Sequence, residues 1–372
     1  MTKYRYIAPC HFGLEKTLSF EVRKAGGEDI QVSDGRVMFS GDALVCARAN
    51  IMLSTAERVC VVLGQFRAAT FDELFEGIRK LPLSEFIGRN DAFPNTGYSI
   101  NSKLSSIPAC QKIVKKAMAV NLGKAYGMSL LPETGAECKI RFSIMKDEFT
   151  LMLDTSGTGL HKRGYRRESN AAPIKETLAA GIIDLARVRG GDYVTDPFCG
   201  SGTLLIEAAL KALNIAPGIK RSFQGERYAF LPENVWREAR AEATERITRS
   251  ADFVAEGFDV DPACVELTRA NAEKAGVGKY VRCSRRDIRD FSYPDKAAKI
   301  ITNPPYGERM LETGEATELY REMGRRMLPL GENSLYVITP AEEFESVFGK
   351  QADKSRKLYN GMLMCRLYCY FR

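Results

Sequence analysis

Tryptophan occurs once and histidine twice in the 372 residues. With histidine only at 11 and 161, there is little material for a His-based metal centre, and no metal is expected. The 10 cysteines are scattered through apolar stretches without a Cys-x-x-Cys pair. Cys365 and Cys369 stand close together, but in a stretch that reads as a strand. The pattern is that of reduced thiols in a cytoplasmic protein and excludes a disulfide framework. The start, Met1-Thr2-Lys3-Tyr4-Arg5-Tyr6, has no signal-peptide apolar core, and no run approaches membrane-spanning length. A Gly-x-Gly-x-x-Gly turn and a Gly-Lys-Ser/Thr phosphate loop are both missing, which counts against dinucleotides and triphosphates. There is no internal repeat or low-complexity tract.

What is present is an ordinary globular balance, 45% hydrophobic and 27% charged, in a chain long enough for two or three domains. Lys and Arg number 54 against 47 Asp and Glu, and the net +7 is compatible with an anionic partner such as nucleic acid without demanding one. Strand 4–9, helix 12–24, a hairpin of 30–33 and 36–40 across Asp34-Gly35, helix 43–50 and strand 56–63 form a β-α-β-β-α-β order. This predicts a ferredoxin-like unit over 1–64. A second α+β unit, 65–155, combines helix 71–81, strand 98–103, a proline-opened helix 108–125 and a hairpin of 137–145 with 148–153. Glycine, serine and then dense charge mark 156–172 as a linker. From 173 to 372 strands and helices alternate: helix 174–188, strand 193–196, helix 201–213, strand 253–259, helix 262–275, strand 280–283, strand 299–303, helix 317–330, strand 334–339 and helix 341–348. A hairpin across Asn360-Gly361 closes the chain. The expected fold class is α/β, a doubly wound parallel sheet with one antiparallel addition, behind the two α+β units.

In such a sheet ligands bind at the carboxyl ends of the strands. Asp196 ends the first strand, and Gly200-Ser201-Gly202-Thr203 turns into the next helix. Glycines let a ligand approach the backbone, and the helix start attracts an anion, either a nucleotide phosphate or an amino-acid carboxylate. The second strand ends Gly257-Phe258-Asp259-Val260-Asp261. Asp259 has the place of a ribose-hydroxyl acceptor, and Asp261 that of a helix cap. Asp287, beyond the third strand, is placed to accept from an adenine amino group.

The fourth strand runs into Asn303-Pro304-Pro305-Tyr306. The Asn303 side-chain oxygen and the Pro304 carbonyl can accept both hydrogens of an exocyclic amine, turning its lone pair toward a methyl donor. The two prolines stiffen the corner and remove competing backbone donors. Tyr306 offers a face for an extruded base. Beyond it, Arg309 in Gly307-Glu308-Arg309 either meets a phosphate or pairs with Glu312.

Asp-Pro-Phe-Cys-Gly-Ser-Gly-Thr at 196–203, Gly-Phe-Asp-Val-Asp at 257–261, Arg286-Asp287 and Asn-Pro-Pro-Tyr stand in the order seen in class I S-adenosylmethionine-dependent methyltransferases acting on exocyclic amines. Ser102-Lys103-Leu104 and the helix 109–117 resemble a THUMP RNA-binding domain. Leu160–Arg166, Ile215–Gly218 and Lys357–Gly361 complete a resemblance closest to bacterial guanine-N2 methyltransferases of 23S ribosomal RNA. It implies a Rossmann-like class I domain, a seven-stranded sheet with an antiparallel C-terminal hairpin, preceded by ferredoxin-like and THUMP domains. It further implies that Asp196, Cys199, Gly200, Ser201, Gly202 and Thr203 line the methionine of S-adenosyl-L-methionine. Asp259 would hold the ribose, Val260 pack on the adenine and Asp287 bind its amino group, with Asn303 beside the cofactor.

For RNA, Lys112, Lys115 and Lys116 fall on one helical face near Lys103 in sequence. Lys162, Arg163, Arg166 and Arg167 crowd the linker with Tyr165. Phosphate contacts of this kind give salt-sensitive affinity without base identity. The insertion 214–252, around Arg221-Ser222-Phe223 and Trp236, either touches RNA or packs. Alternatives to guanine-N2 methylation of 23S rRNA are tRNA guanine-N2 methylation, N6-adenine methylation and a non-catalytic RNA-binding assembly factor.

Overall fold

Short strands interleaved with helices build the first half of the molecule; the computed structural model describes residues 2–166, 174–306 and 313–371. Its elements are β1 (Tyr4–Pro9), α1 (Glu15–Lys24), β2 (Glu28–Ser33), β3 (Arg36–Gly41), α2 (Ala43–Met52), β4 (Cys60–Arg67), α3 (Phe71–Arg79), β5 (Asn95–Ile100), α4 (Ile107–Tyr126), β6 (Ile140–Met145) and β7 (Glu148–Asp154). Local chemistry sets their ends. Asp42 accepts from the Val45 amide at 3.0 Å to start α2, and Thr70 and Glu73 form a capping box for α3.

All seven strands belong to one sheet, ordered β2-β3-β1-β4-β7-β6-β5. β4 is its seam, pairing with β1 at Cys60 and Val61 and with β7 along its whole length. The boundary expected after residue 64 therefore falls inside a strand. This strand starts later than the anticipated 56–63 because Ala56 bridges Cys10 instead. It ends later because β7 keeps pairing through Arg67, past a register shift at Gly64.

The second half comprises α5 (Glu176–Leu185), β8 (Tyr193–Asp196), α6 (Thr203–Ala212), α7 (Glu233–Glu245), β9 (Val254–Asp259), α8 (Pro262–Ala275), β10 (Val281–Arg285), β11 (Ala298–Thr302), α9 (Thr313–Met327), β12 (Ser334–Thr339), α10 (Phe344–Phe348), β13 (Lys354–Asn360) and β14 (Leu363–Tyr370). The order β10-β9-β8-β11-β12-β14-β13, with β14 antiparallel to both neighbours, is the expected seven-stranded sheet with its closing hairpin. Strand order runs outward both ways from β8, so the crevice between β8 and β11 is the switch point where ligands bind.

Helix α7 was not anticipated. Its buried Val235, Trp236, Ala239 and Ala243 have helical spacing, but two alanines make a faint stripe. The insertion packs: Phe223, Tyr228, Leu231 and Trp236 lie in the core of the first half, with Phe223 stacked on Trp236 at 5.5 Å. Arg48 of α2 meets Glu242 of α7 at 2.7 Å. In exchange Leu14, from the first half, is fully buried in the core of the second, against Gly181. Burying one leucine in this way contributes about 1.5–3 kcal/mol.

Candidate active site

Four strand ends converge at the switch point. At the end of β8 the Asp196 carboxylate is almost wholly enclosed, accepting from the Thr302 hydroxyl at 2.6 Å and the Phe198 amide at 3.1 Å. Burial pushes its carboxyl up to about 7; those two hydrogen bonds work against the rise and the Asp259 charge adds to it.

The turn that follows is glycine-dependent at two positions. Gly200 (φ +53°) and Gly202 (φ +77°) adopt left-handed backbone. A Cβ on Gly200 would meet nothing within 4 Å, so its backbone faces open space that a ligand can enter. A Cβ on Gly202 would lie 2.7 Å from Thr268 Cγ2, so that glycine serves packing. Around them Cys199 is buried, the Ser201 hydroxyl meets that of Thr203 at 3.1 Å, and Thr268 donates to the Gly200 carbonyl at 2.9 Å.

At the end of β9, Asp259 accepts from the Gly200 amide through Oδ2 and the Asp261 amide through Oδ1, each at 3.0 Å. Its carboxylate is thus clamped against the glycine turn with lone pairs remaining. Asp261 caps α8 through the Ala263 amide, as its position implies. Val260 is 56% exposed, an uncovered apolar face beside the turn. Asp287, past β10, is paired with Arg289 at 2.6 Å, and that hydrogen bond holds its carboxyl low, at about 2.

At the end of β11, Asn303 directly follows Thr302, whose hydroxyl grips Asp196. Pro304 is buried, while Asn303, Pro305 and Tyr306 are partly accessible. Tyr306 lies within electrostatic reach of Tyr320, whose hydroxyl meets Thr339 at 3.0 Å at the end of β12. A rigid, accessible corner therefore adjoins the acid and glycine turn. Gly307, Glu308, Arg309 and Glu312, like Arg167 in the linker, lie outside the described residues.

The basic residues divide. Lys103, Lys112, Lys116 and Lys162 are exposed to a polyanion, Lys116 with its ammonium 5.8 Å above the Phe75 ring. Lys115 is drawn away to Glu133 at 2.6 Å and over the Phe93 ring at 3.5 Å. Arg163 is a correction. Its side chain, 3% exposed, spans Glu207 at 3.4 Å and the Leu160 carbonyl at 2.8 Å, leaving no face for a phosphate. Arg166 is partly accessible and donates to Thr203 Oγ1 at 2.7 Å and the Ile174 carbonyl at 3.0 Å, so it is tied to the glycine turn.

The two histidines, which the sequence left without a role, meet at one carboxylate. Glu57 lies 3.1 Å from His11 and 3.5 Å from His161, and accepts from Lys175 at 3.0 Å. Burial alone would raise the Glu57 carboxyl, but hydrogen bonds from His11, His161 and Thr177 outweigh it and hold the group far below its usual range. First half, linker and α5 are joined there.

The RMKL-like methyltransferase domain family matches residues 163–368, the RlmL ferredoxin-like domain 5–60 and the THUMP domain 68–154. A putative RNA methyltransferase of Bacillus subtilis, YpsC, is 42% identical over 100% of this chain and 97% of its own length. A ribosomal RNA large subunit methyltransferase K/L of Photobacterium profundum is 32% identical over 98% of this chain and 52% of its own, so the chain spans about half the length of that relative. The solved structure of SMU.472, a putative methyltransferase complexed with SAH, superposes with a TM-score of 0.93 at 39% identity, covering 100% of this chain and 98% of that one.

Proposed function

Because the chain belongs to the RMKL-like methyltransferase family, we propose that it methylates the exocyclic N2 of a guanine in RNA, with 23S ribosomal RNA as substrate and the cytoplasm as its place of action. S-Adenosyl-L-methionine is the cofactor, in keeping with the SAH held by its structural relative. The residues fit that molecule: open backbone at Gly200, an enclosed acid at Asp196 and a clamped acceptor at Asp259. When bound, it supplies an electrophilic methyl group on a cationic sulfonium.

The remaining work falls to this chain. An exocyclic amine is a poor nucleophile because its lone pair is delocalised into the ring, so what the protein contributes is alignment. Asn303 Oδ1 and the Pro304 carbonyl accept the two amine hydrogens and orient the lone pair. Tyr306 gives a face on which an extruded base stacks, a contact of about 1–3 kcal/mol. Asp196 and Asp259 hold the amino-acid and ribose ends, Cys199, Ser201, Gly202 and Thr203 shape the turn, Val260 covers the adenine face and Asp287 accepts from its amino group. Lys103, Lys112, Lys116 and Lys162 supply the phosphate contacts.

The observation that carries this reading is the joining of the Asn-Pro-Pro-Tyr corner to the cofactor acid through Thr302. Nucleoside mass spectrometry of rRNA and tRNA from a deletion strain tests it. Loss of N2-methylguanosine from 23S rRNA is expected. Loss only from tRNA, or loss of N6-methyladenosine, would redirect the substrate. Failure of the purified protein to bind SAH would favour a non-catalytic assembly factor.

A further inference from the structure

Cys199 lies in the turn after β8, and Cys283 is the central residue of β10, with β9 between those two strands. Their sulfurs nonetheless lie 3.3 Å apart, both buried. The intervening strand permits this at Gly257, the β9 partner of Cys283. A Cβ there would come within 3.0 Å of Cys199 Cβ and 3.1 Å of its Sγ. Only a residue without a side chain leaves the gap in which the two thiols meet. The hydrogen bond from Cys199 lowers the Cys283 thiol despite burial, and the Arg269 charge adds to that; the same hydrogen bond, with burial, raises Cys199. One sulfur is thus disposed to be the thiolate and the other to hold the proton.

We propose that Cys199 and Cys283 are a redox pair that closes to a disulfide on exposure to hydrogen peroxide, and that closure weakens binding at the cofactor turn. The Cys283 thiolate attacks one peroxide oxygen, the O–O bond breaks, and the departing hydroxide takes up the thiol's proton as water. The Cys199 sulfur then attacks the sulfenic sulfur, the S–O bond breaks, and the Cys199 proton leaves in a second water. Two thiols lose two electrons to one peroxide.

The bond requires an S–S distance of about 2.0 Å, so the two sulfurs must close by roughly 1 Å, and the share taken by Cys199 moves it toward β10. Its carbonyl accepts from Gly202 at 2.8 Å, and the neighbouring Gly200 amide donates to Asp259 at 3.0 Å, so the shift pulls on both ends of the glycine turn. The effect on binding rests on the cofactor reading above; disulfide formation does not.

The test treats the purified protein with hydrogen peroxide, maps cross-linked peptides by mass spectrometry, and measures SAH affinity by calorimetry before and after reduction with dithiothreitol. A peptide joining Cys199 to Cys283 is expected, with affinity at least tenfold weaker and restored by the reductant. Cys283→Ser should bind SAH like the unmutated protein and keep that affinity through peroxide. A missing 199–283 cross-link overturns the pair, and a cross-link without loss of affinity overturns its effect on the turn. Absence of SAH binding by the reduced protein would instead count against the cofactor reading, and the cross-link would still decide the pair.

Discussion

Thr302 donates its hydroxyl hydrogen to Asp196 at 2.6 Å, linking the last residue of β11 to the acid that ends β8. Asn303 follows immediately, so the corner that would orient an amine is positioned from the same point that holds the Asp196 carboxylate. Asn303→Ala should leave SAH affinity within about threefold while lowering single-turnover methylation of RNA by about 10²-fold or more, the scale of losing an aligning contact. Calorimetry and a tritium-transfer assay read the two separately. Parallel loss of both would assign Asn303 to cofactor binding.

Affinity for the cofactor should depend on pH through Asp196. Its carboxyl is raised from an ordinary 3.8 to about 7. Its contribution to stability is therefore fully present below the ordinary value and is lost as pH rises toward about 7. A ligand carrying an ammonium group favours the ionised form. SAH affinity should thus weaken as pH falls below about 7, by up to tenfold per unit, and Asp196→Asn should flatten the profile while weakening binding. A profile for the unmutated protein that is flat between about pH 5.5 and 8 would remove Asp196 from contact with the ligand's charge.

Exposed Lys112 and Lys116 of α4 should meet RNA, whereas Lys115 is engaged by Glu133. Changing the first two to alanine should weaken binding of a 23S rRNA transcript and reduce the slope of log affinity against log salt by about one per lysine. Lys115→Ala alone should barely alter that slope. A double variant with unchanged slope would move the footprint elsewhere.

Leu14 is fully buried in the second core although its neighbours in sequence belong to the first half. Leu14→Ala should destabilise by about 2–5 kcal/mol. Circular dichroism melting should show both halves shifting together. Removing only the partner of Arg163, by Glu207→Ala, should cost about 3–5 kcal/mol, because a buried guanidinium is left without its carboxylate.

Much of the site was legible because its signals are local. Apolar runs closed by Asp196, Asp259 and Thr302, each with a proline one to three residues on, mark strand ends wherever the strands pair, and β8, α8 and β12 have the anticipated bounds. What escaped reading depends on distant partners. Arg163 looks like any linker cation until Glu207, 44 residues on, is folded against it. The faint apolar stripe of α7, half of it alanine, becomes a helix face only when the first half offers it a core. The sharing of β4 between β1 and β7 is a matter of register, which hydropathy does not encode.

The exchange of Leu14 and Trp236 between cores also constrains how a long substrate is handled. A module tethered by a loose strap can swing its cargo, but here the two halves are braced against each other by the side chains they exchange. On the proposed reading, an RNA held on α4 would have to bring its target base to a preset separation by its own curvature. The protein would then act as a caliper, favouring transcripts folded to that span.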